Sequence, residues 1–330
     1  LSTVGREMTK KILIVDADLI AYRHAAAAEK RSVIVKHLKT QKEKEFDTRT
    51  AFKEFLKLKG WEFKEEDYSF TDVQTPQDIS IALATIKRLI VKLQEFTWCD
   101  STELYLGSGE TFRHKLPLPS PYKNNRAKLI RPVHLEDSRK YLTKHWGAEL
   151  VKQIETDDIV TIRAYEELEK GNIPIIATVD KDAYQSQGVS ILDWTKEEWT
   201  LDLIPDVGEL RKEKTSVKGD GLKFLAFQTL AGDNADTYCG YELSQLKYGP
   251  TKAVNALKDA KTEQEIVKIL FSEFKRLYPV EFTYTDCHGQ VQDADWKTIL
   301  DLYWKCAYMK RSRNDSSNIE DFLKLRGINL

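Results

Sequence analysis

The sequence predicts an α/β fold with a central, largely parallel sheet and helices on both faces. Two observations carry this. Short apolar runs alternate with segments of helical periodicity, the pattern that a parallel sheet with helical crossovers produces. The alternation then stops near residue 222, beyond which helical patterns dominate. At 330 residues with 41% hydrophobic side chains, the chain has material for a large core and a second lobe.

The elements follow in order. "KILIV" reads as a buried strand leading into a helix, residues 76–97 as a helix, "ELYLG" as a strand, and residues 133–146 as a helix. "AELVKQI" is the next strand, residues 157–170 a helix, and "IPIIATV" and "VSILDW" two further strands. An insertion at 31–75 breaks the rhythm. There "RSVIVKHL" and "EFDT" flank the polar "KTQKEK" as a basic hairpin, with a short helix at "RTAFKEFLKLKG". The glycines of "VKGDGLKF" mark a lobe boundary, giving a core at 8–221 and a helical region at 222–330. Residues 1–7 read as a remnant ahead of a native start at Met8.

No apolar run has membrane-spanning length: "ISIALATIKRLIVKL" is interrupted by Lys87, Arg88 and Lys92 at helical spacing and is an amphipathic helix. Cys99, Cys239, Cys287 and Cys306 form no CxxC pair, which suits free thiols in a reducing cytoplasm. A net charge of −1 hides local asymmetry. Residues 111–145 carry nine Lys/Arg against two acids, and residues 30–59 ten against four, so basic stretches coexist with an acidic focus elsewhere. That combination suits a metal-dependent enzyme acting on nucleic acid, although solvated helix faces explain residues 30–59 equally well.

The acidic focus lies at strand ends. Asp16 follows "ILIV" and Asp18 stands two residues on; Glu155, Asp157 and Asp158 of "IETDDIV" sit where a strand yields to a helix; Asp180 and Asp182 of "TVDKDAYQ" follow another strand. "LAGDNADT" adds Asp233 and Asp236 in a turn. Each group alone has an ordinary explanation as an N-cap or turn. Crowded on one sheet edge, the same carboxylates repel and raise each other's pKa unless cations lie between them. Oxygen-only donors, with no His or Cys near them, point to two or more Mg²⁺ or Mn²⁺ ions. Two such ions support in-line displacement at phosphorus, the chemistry of phosphodiester cleavage.

As a set, "VDADLIAYR", "TFRHKL…YKNNR", "ETDD", "TVDKDAYQ" and "GDNADT" resembles the 5′-nuclease family, which includes the 5′ to 3′ exonuclease domain of bacterial DNA polymerase I, phage 5′ exonucleases and flap endonucleases. The match spans about residues 11–255. It implies a PIN-like core and a C-terminal helix-hairpin-helix. It implies metal ligation by Asp16, Glu155, Asp157, Asp158, Asp180, Asp182, Asp233 and Asp236, with Asp158 among the catalytic residues. Lys123 and Arg126 correspond to a basic pair at the scissile phosphate, Arg113 and Arg23 to phosphate contacts, and Tyr22 to an aromatic that stacks on a base; Tyr122 joins them as a substrate contact. In "YGPTKAVNAL", Gly249, Thr251 and Lys252 match duplex-binding positions. The longer approach "TYCGYELSQLK" changes the glycines that would support K⁺, leaving that site weakly supported.

A second departure is Leu106, where the family commonly has an aspartate; Asp18 on the neighbouring strand is the expected substitute. The resemblance implies a monomeric cytoplasmic enzyme of a bacterium or phage, working in DNA replication on DNA with a 5′ end or 5′ flap, or on an RNA/DNA hybrid. Only about 28 residues separate Arg126 from Glu155, which bounds any arch there to a short one. The rival readings are a catalytically weak module that holds branched DNA, favoured by Leu106 alone, and an Asp-nucleophile phosphatase, which leaves "ETDD" and "YKNNR" unexplained. Trp296, Leu300, Tyr303 and Trp304 on a late amphipathic segment read as core, and Lys310 to Arg313 as an exposed cap.

Overall fold

Val15 and its neighbours Leu13 and Ile14 are wholly buried, as a continuous apolar run in the middle of a parallel sheet must be. The structure is a computed structural model that describes residues 8–214 and 216–328, with the backbone alone at 127 and 128. The chain opens with β1 (Lys11–Asp16), α1 (Ala17–Ala27), β2 (Glu29–His37), β3 (Glu43–Phe46), α2 (Arg49–Leu58), β4 (Tyr68–Pro76) and α3 (Ile79–Thr97). Next come β5 (Ser101–Ser108), α4 (Leu135–Trp146), β6 (Glu149–Lys152), α5 (Thr156–Glu169), β7 (Ile173–Ala177), β8 (Ser190–Leu192) and β9 (Asp202–Leu203). A hairpin of β10 (Leu210–Lys212) and β11 (Val217–Gly219) precedes α6 (Gly221–Ala231), α7 (Pro250–Leu257) and α8 (Glu263–Leu277). The chain closes with β12 (Phe282–Thr285), β13 (Val291–Ala294), α9 (Trp296–Ala307) and α10 (Ile319–Leu325).

Two compact units result, one of Leu1–Leu19, Lys92–Leu129 and Trp146–Leu330, the other of Ile20–Val91 and Ile130–His145. The first holds a six-stranded sheet in the order β6-β5-β1-β7-β8-β9. Its pairings are parallel except that of β8 with β9. Parallel strands end together, so Asp16, the close of β5, the approach to Glu155 and the turn after Ala177 share one edge. This is the edge where ligands of such sheets bind.

In the same unit, α6 is largely apolar and buried on every side from Gly221 to Leu230, so it forms the centre of the C-terminal helices. Phe224, Leu270, Phe274, Tyr303 and Trp304 pack in that core. Reciprocal capping boxes at Thr262/Glu265 and Asp295/Thr298 start α8 and α9. α6 packs on the 3₁₀ turn Lys181–Gln185, and the described residues from 222 onward fall in the same unit as the sheet. Leu300, Tyr303 and Trp304 are core, as their spacing predicts. Between α6 and α7, residues 232–249 contain no helix, so the approach to α7 is a long run of turns and loop.

The second unit contains the insertion. Its hairpin is present, as antiparallel β2 and β3, and β4 joins as a third strand along the full length of β2. Thr48 caps α2, whose Phe52 and Leu56 bury themselves against Phe46, Phe63, Tyr68 and Phe70. Glu29 ties the unit together: its buried carboxylate accepts from Arg31 at 2.6 Å, Gln74 at 3.1 Å and the Val133 N–H at 2.8 Å. Among the described residues no helix is long and apolar enough to cross a membrane. The remnant expected at residues 1–7 lies outside the described residues.

Candidate active site

Asp16 is the last residue of β1, and one of its oxygens accepts the N–H groups of Asp18 at 3.1 Å and Leu19 at 3.3 Å. The carboxyl is thereby locked at the strand mouth while α1 begins. Burial, assisted by the charge of Asp180, pushes its pKa up to about 7 against the pull of the Leu19 N–H and of Asp157. Asp157, in the first turn of α5, is pushed well above the carboxylate range by burial and then by Asp180 and Asp16. Asp16, Asp157 and Asp180 thus form one electrostatically joined group from three separate segments.

A second group adjoins it through the 3₁₀ turn that carries Asp180 and Asp182. Carboxylate oxygens of Asp182, Asp233 and Asp236, all buried, lie within 4.8 Å of one another. Burial, then the charges of Asp180 and Asp233, drives Asp182 well up, and burial raises Asp236. Asp233 and Asp236 are presented by the turn after α6, where Gly232 takes φ +79° and a Cβ would stand 2.1 Å from the Tyr238 carbonyl. Only glycine fits there.

Cations border the acids. Lys123 sits in the left-handed region at φ 56°, its N–H bound to the Asp236 carbonyl, and its ammonium lies 2.7 Å from Glu155 and 3.8 Å from Asp236. Burial would lower its pKa, but Glu155 and Asp236 outweigh it and raise the group. Arg126, half exposed, bonds Asp236 at 2.9 Å, and the Tyr122 hydroxyl donates to Asp236 at 2.7 Å. Glu155 is likewise pulled below the usual range, because Arg113 and Lys123 overcome its burial. Lys181 pairs with Asp233 at 2.7 Å.

Arg113 and Asp158 face each other in the interior. Arg113 is wholly buried and all five of its donors are taken: by Glu155 at 2.7 Å, by Asp158 at 2.7 and 3.1 Å, and by the carbonyls of Cys306 and Tyr308. No donor remains for a phosphate. Asp158, fully buried, faces Arg113 and the Lys310 N–H rather than the other acids. Asp18 spends one oxygen on the Gly107 N–H and the Thr156 hydroxyl, each at 2.6 Å, and so ties the end of β5 to the start of α5. A Cβ at Gly107 would lie 2.6 Å from that hydroxyl. Leu106 turns into the core at 1% exposure.

Tyr22 and Arg23 are exposed on α1 in the second unit. Gly249 caps α7 at φ 154°, followed by exposed Thr251 and Lys252, whose ammonium turns back to the Lys247 carbonyl. Residues not singled out by sequence also serve the acids: Gln228 donates to Asp182, and Thr156 and Lys181 act as above. A lone glutamine in the apolar helix "LKFLAFQTLA" was a readable signal.

The donor set fits a hard divalent ion. It is all carboxylate oxygen, and its upward-shifted members carry a burial penalty, with mutual repulsion added, that the neighbouring side chains do not relieve. No family model and no curated protein matches the chain by sequence. Solved structures do match. The bacteriophage T5 D15 protein co-crystallised with metal ions aligns at TM-score 0.45 and 15% identity, over 81% of this chain and 89% of that one. A T5 flap endonuclease complex with DNA and metal ions aligns at 0.44 and 13%, over 81% and 89%. T5 5′-exonuclease with bound zinc aligns at 0.46 and 14%, over 80% and 85%.

Proposed function

We propose that this chain is a Mg²⁺- or Mn²⁺-dependent nuclease that hydrolyses phosphodiester bonds in DNA near a 5′ end or 5′ flap. One observation supports the reading above others: carboxylates from β1, α5, the turn after β7 and the turn after α6 converge beside Lys123 and Arg126. Asp16, Asp157 and Asp180 would hold one ion and Asp182, Asp233 and Asp236 another. Bound there, such ions lower the pKa of water and offset charge on the reacting phosphate.

The chain's own residues then act around the phosphate. Lys123 offers a mobile point charge and Arg126 a planar fork, both able to exchange a carboxylate oxygen for a phosphate oxygen. Tyr122 keeps Asp236 oriented while they do so. Arg113 and Asp158 act from behind, the guanidinium fixing Glu155, whose other oxygen meets Lys123. Developing charge at phosphorus is thereby met by donors already in position.

A DNA-holding module without turnover is the second reading, favoured by Leu106 at the end of β5. A 5′-flapped duplex labelled at both ends, incubated with Mg²⁺, separates the two. Short products from the 5′ side that vanish with chelator support the nuclease; binding with intact strands supports the module.

A further inference from the structure

The last turn of α9 and the residues after it meet the acid site in an unusual way. Cys306 and Ala307 carry carbonyls left without a helical partner at a helix C-terminus. The Cys306 carbonyl accepts from Arg113 at 3.2 Å and that of Ala307 from Gln185 at 2.8 Å. The chain continues extended at Tyr308, whose carbonyl returns to Arg113. The Met309 N–H then donates to Gln185 at 3.0 Å and the Lys310 N–H to Asp158 at 3.0 Å. Five successive residues are thus bonded to three side chains, Arg113, Gln185 and Asp158. Arg113 is ion-paired with Glu155 and Asp158, at the start of α5, which also bears Asp157; Gln185, 2% exposed, closes the 3₁₀ turn bearing Asp182.

We propose that residues 306–310 are a positioning strap that fixes the spacing between the Glu155 to Asp158 turn and the Asp180 to Asp182 turn, and that divalent-cation affinity depends on it. The inference rests on the cation-site reading above and adds a role for the C-terminal region that is independent of any contact with DNA. Arg113 suits the task because it pairs with two acids and caps the negative end of α9 at once. Gln185 suits it because one amide both donates to and accepts from neighbouring backbone groups without adding charge beside the acids.

Titration of the full chain with Mn²⁺, followed by heat uptake and by the rise in melting temperature, tests the strap. Gln185→Met removes both amide bonds, and Arg113→Lys keeps the charge while dropping the fork. Each is expected to weaken Mn²⁺ binding about 10- to 100-fold, as loss of outer contacts to metal ligands does. Gln187→Met is the control, since Gln187 grips Arg311 and Arg326 farther along the same tail. It is expected to lower the melting temperature and leave Mn²⁺ affinity unchanged. Should Gln185→Met fail to fold, Arg113→Lys carries the test. Wild-type affinity in the strap variants, or an equal loss in the control, overturns the strap alone. No Mn²⁺ uptake by the wild type overturns the cation site and the strap with it.

Discussion

Arg113 and Asp158 meet in a two-point ion pair, at 2.7 and 3.1 Å, with neither side chain exposed. Removing one charge of such a pair strands the other in the interior. Asp158→Asn should cost about 3 kcal/mol, the low end of the range for breaking buried pairs because Glu155 still partners the guanidinium. Urea unfolding reads this directly, and a wild-type midpoint would contradict the pairing.

Lys123 stands between two acids and is read as a phosphate donor, so its loss should act in opposite directions on two quantities. Lys123→Ala should lower kcat by about 10²- to 10³-fold, as removal of a preorganised donor does. The same variant should bind Mn²⁺ at least as tightly as wild type, because a competing cation has left Glu155. Single-turnover rates and a metal titration on one preparation check both halves.

The acid cluster gives the metal-free protein a distinctive response to pH. Asp16 has its folded pKa pushed up to about 7, above the ordinary value of 3.8, and Asp157 and Asp182 are also raised well above it, in each case chiefly by burial. Groups raised in this way hold more protons folded than unfolded, so their contribution to stability is fully present below pH 4 and is lost as pH rises through the folded values. In chelator, the melting temperature should drop between pH 5 and about 8; saturating Mn²⁺ should abolish the drop. A flat profile in chelator would mean that the carboxylates are already compensated.

Glu29 behaves in the opposite sense. Burial alone would raise its pKa, but the Val133 N–H, Arg31 and Gln74 together depress it. Its contribution is therefore present above the unfolded pKa and lost as pH falls. Glu29→Ala should destabilise the protein by roughly 2 kcal/mol, the scale of hydrogen bonds to a buried charge. Chemical unfolding at pH 7 measures it, and a change under about 0.5 kcal/mol, the range of ordinary surface substitutions, would count against the role.

Much of this architecture was legible because it is written locally. The runs before Asp16 and Asp180 are long and apolar enough to be strands only, and an acid after each strand must emerge at the same edge. Strand β4 was harder: "YSFTDVQTP" mixes polar residues with Pro76, and its place is set by pairing with β2, about forty residues away. The fate of Arg113 was not legible at all. Its carbonyl partners lie 193 and 195 positions along the chain, and no local pattern distinguishes an arginine that meets phosphate from one that caps a distant helix. Asp158 follows from the same cause, because adjacent acids on a helix face different ways and only the far partner reveals which one turns inward.

Calorimetric titration of chelator-stripped protein with Mg²⁺ or Mn²⁺, beside Asp233→Asn, measures most directly whether hard cations hold the converging carboxylates together. Saturable uptake by the wild type, weakened in the variant, is the expected result. Absence of uptake by the wild type at millimolar ion would contradict the account.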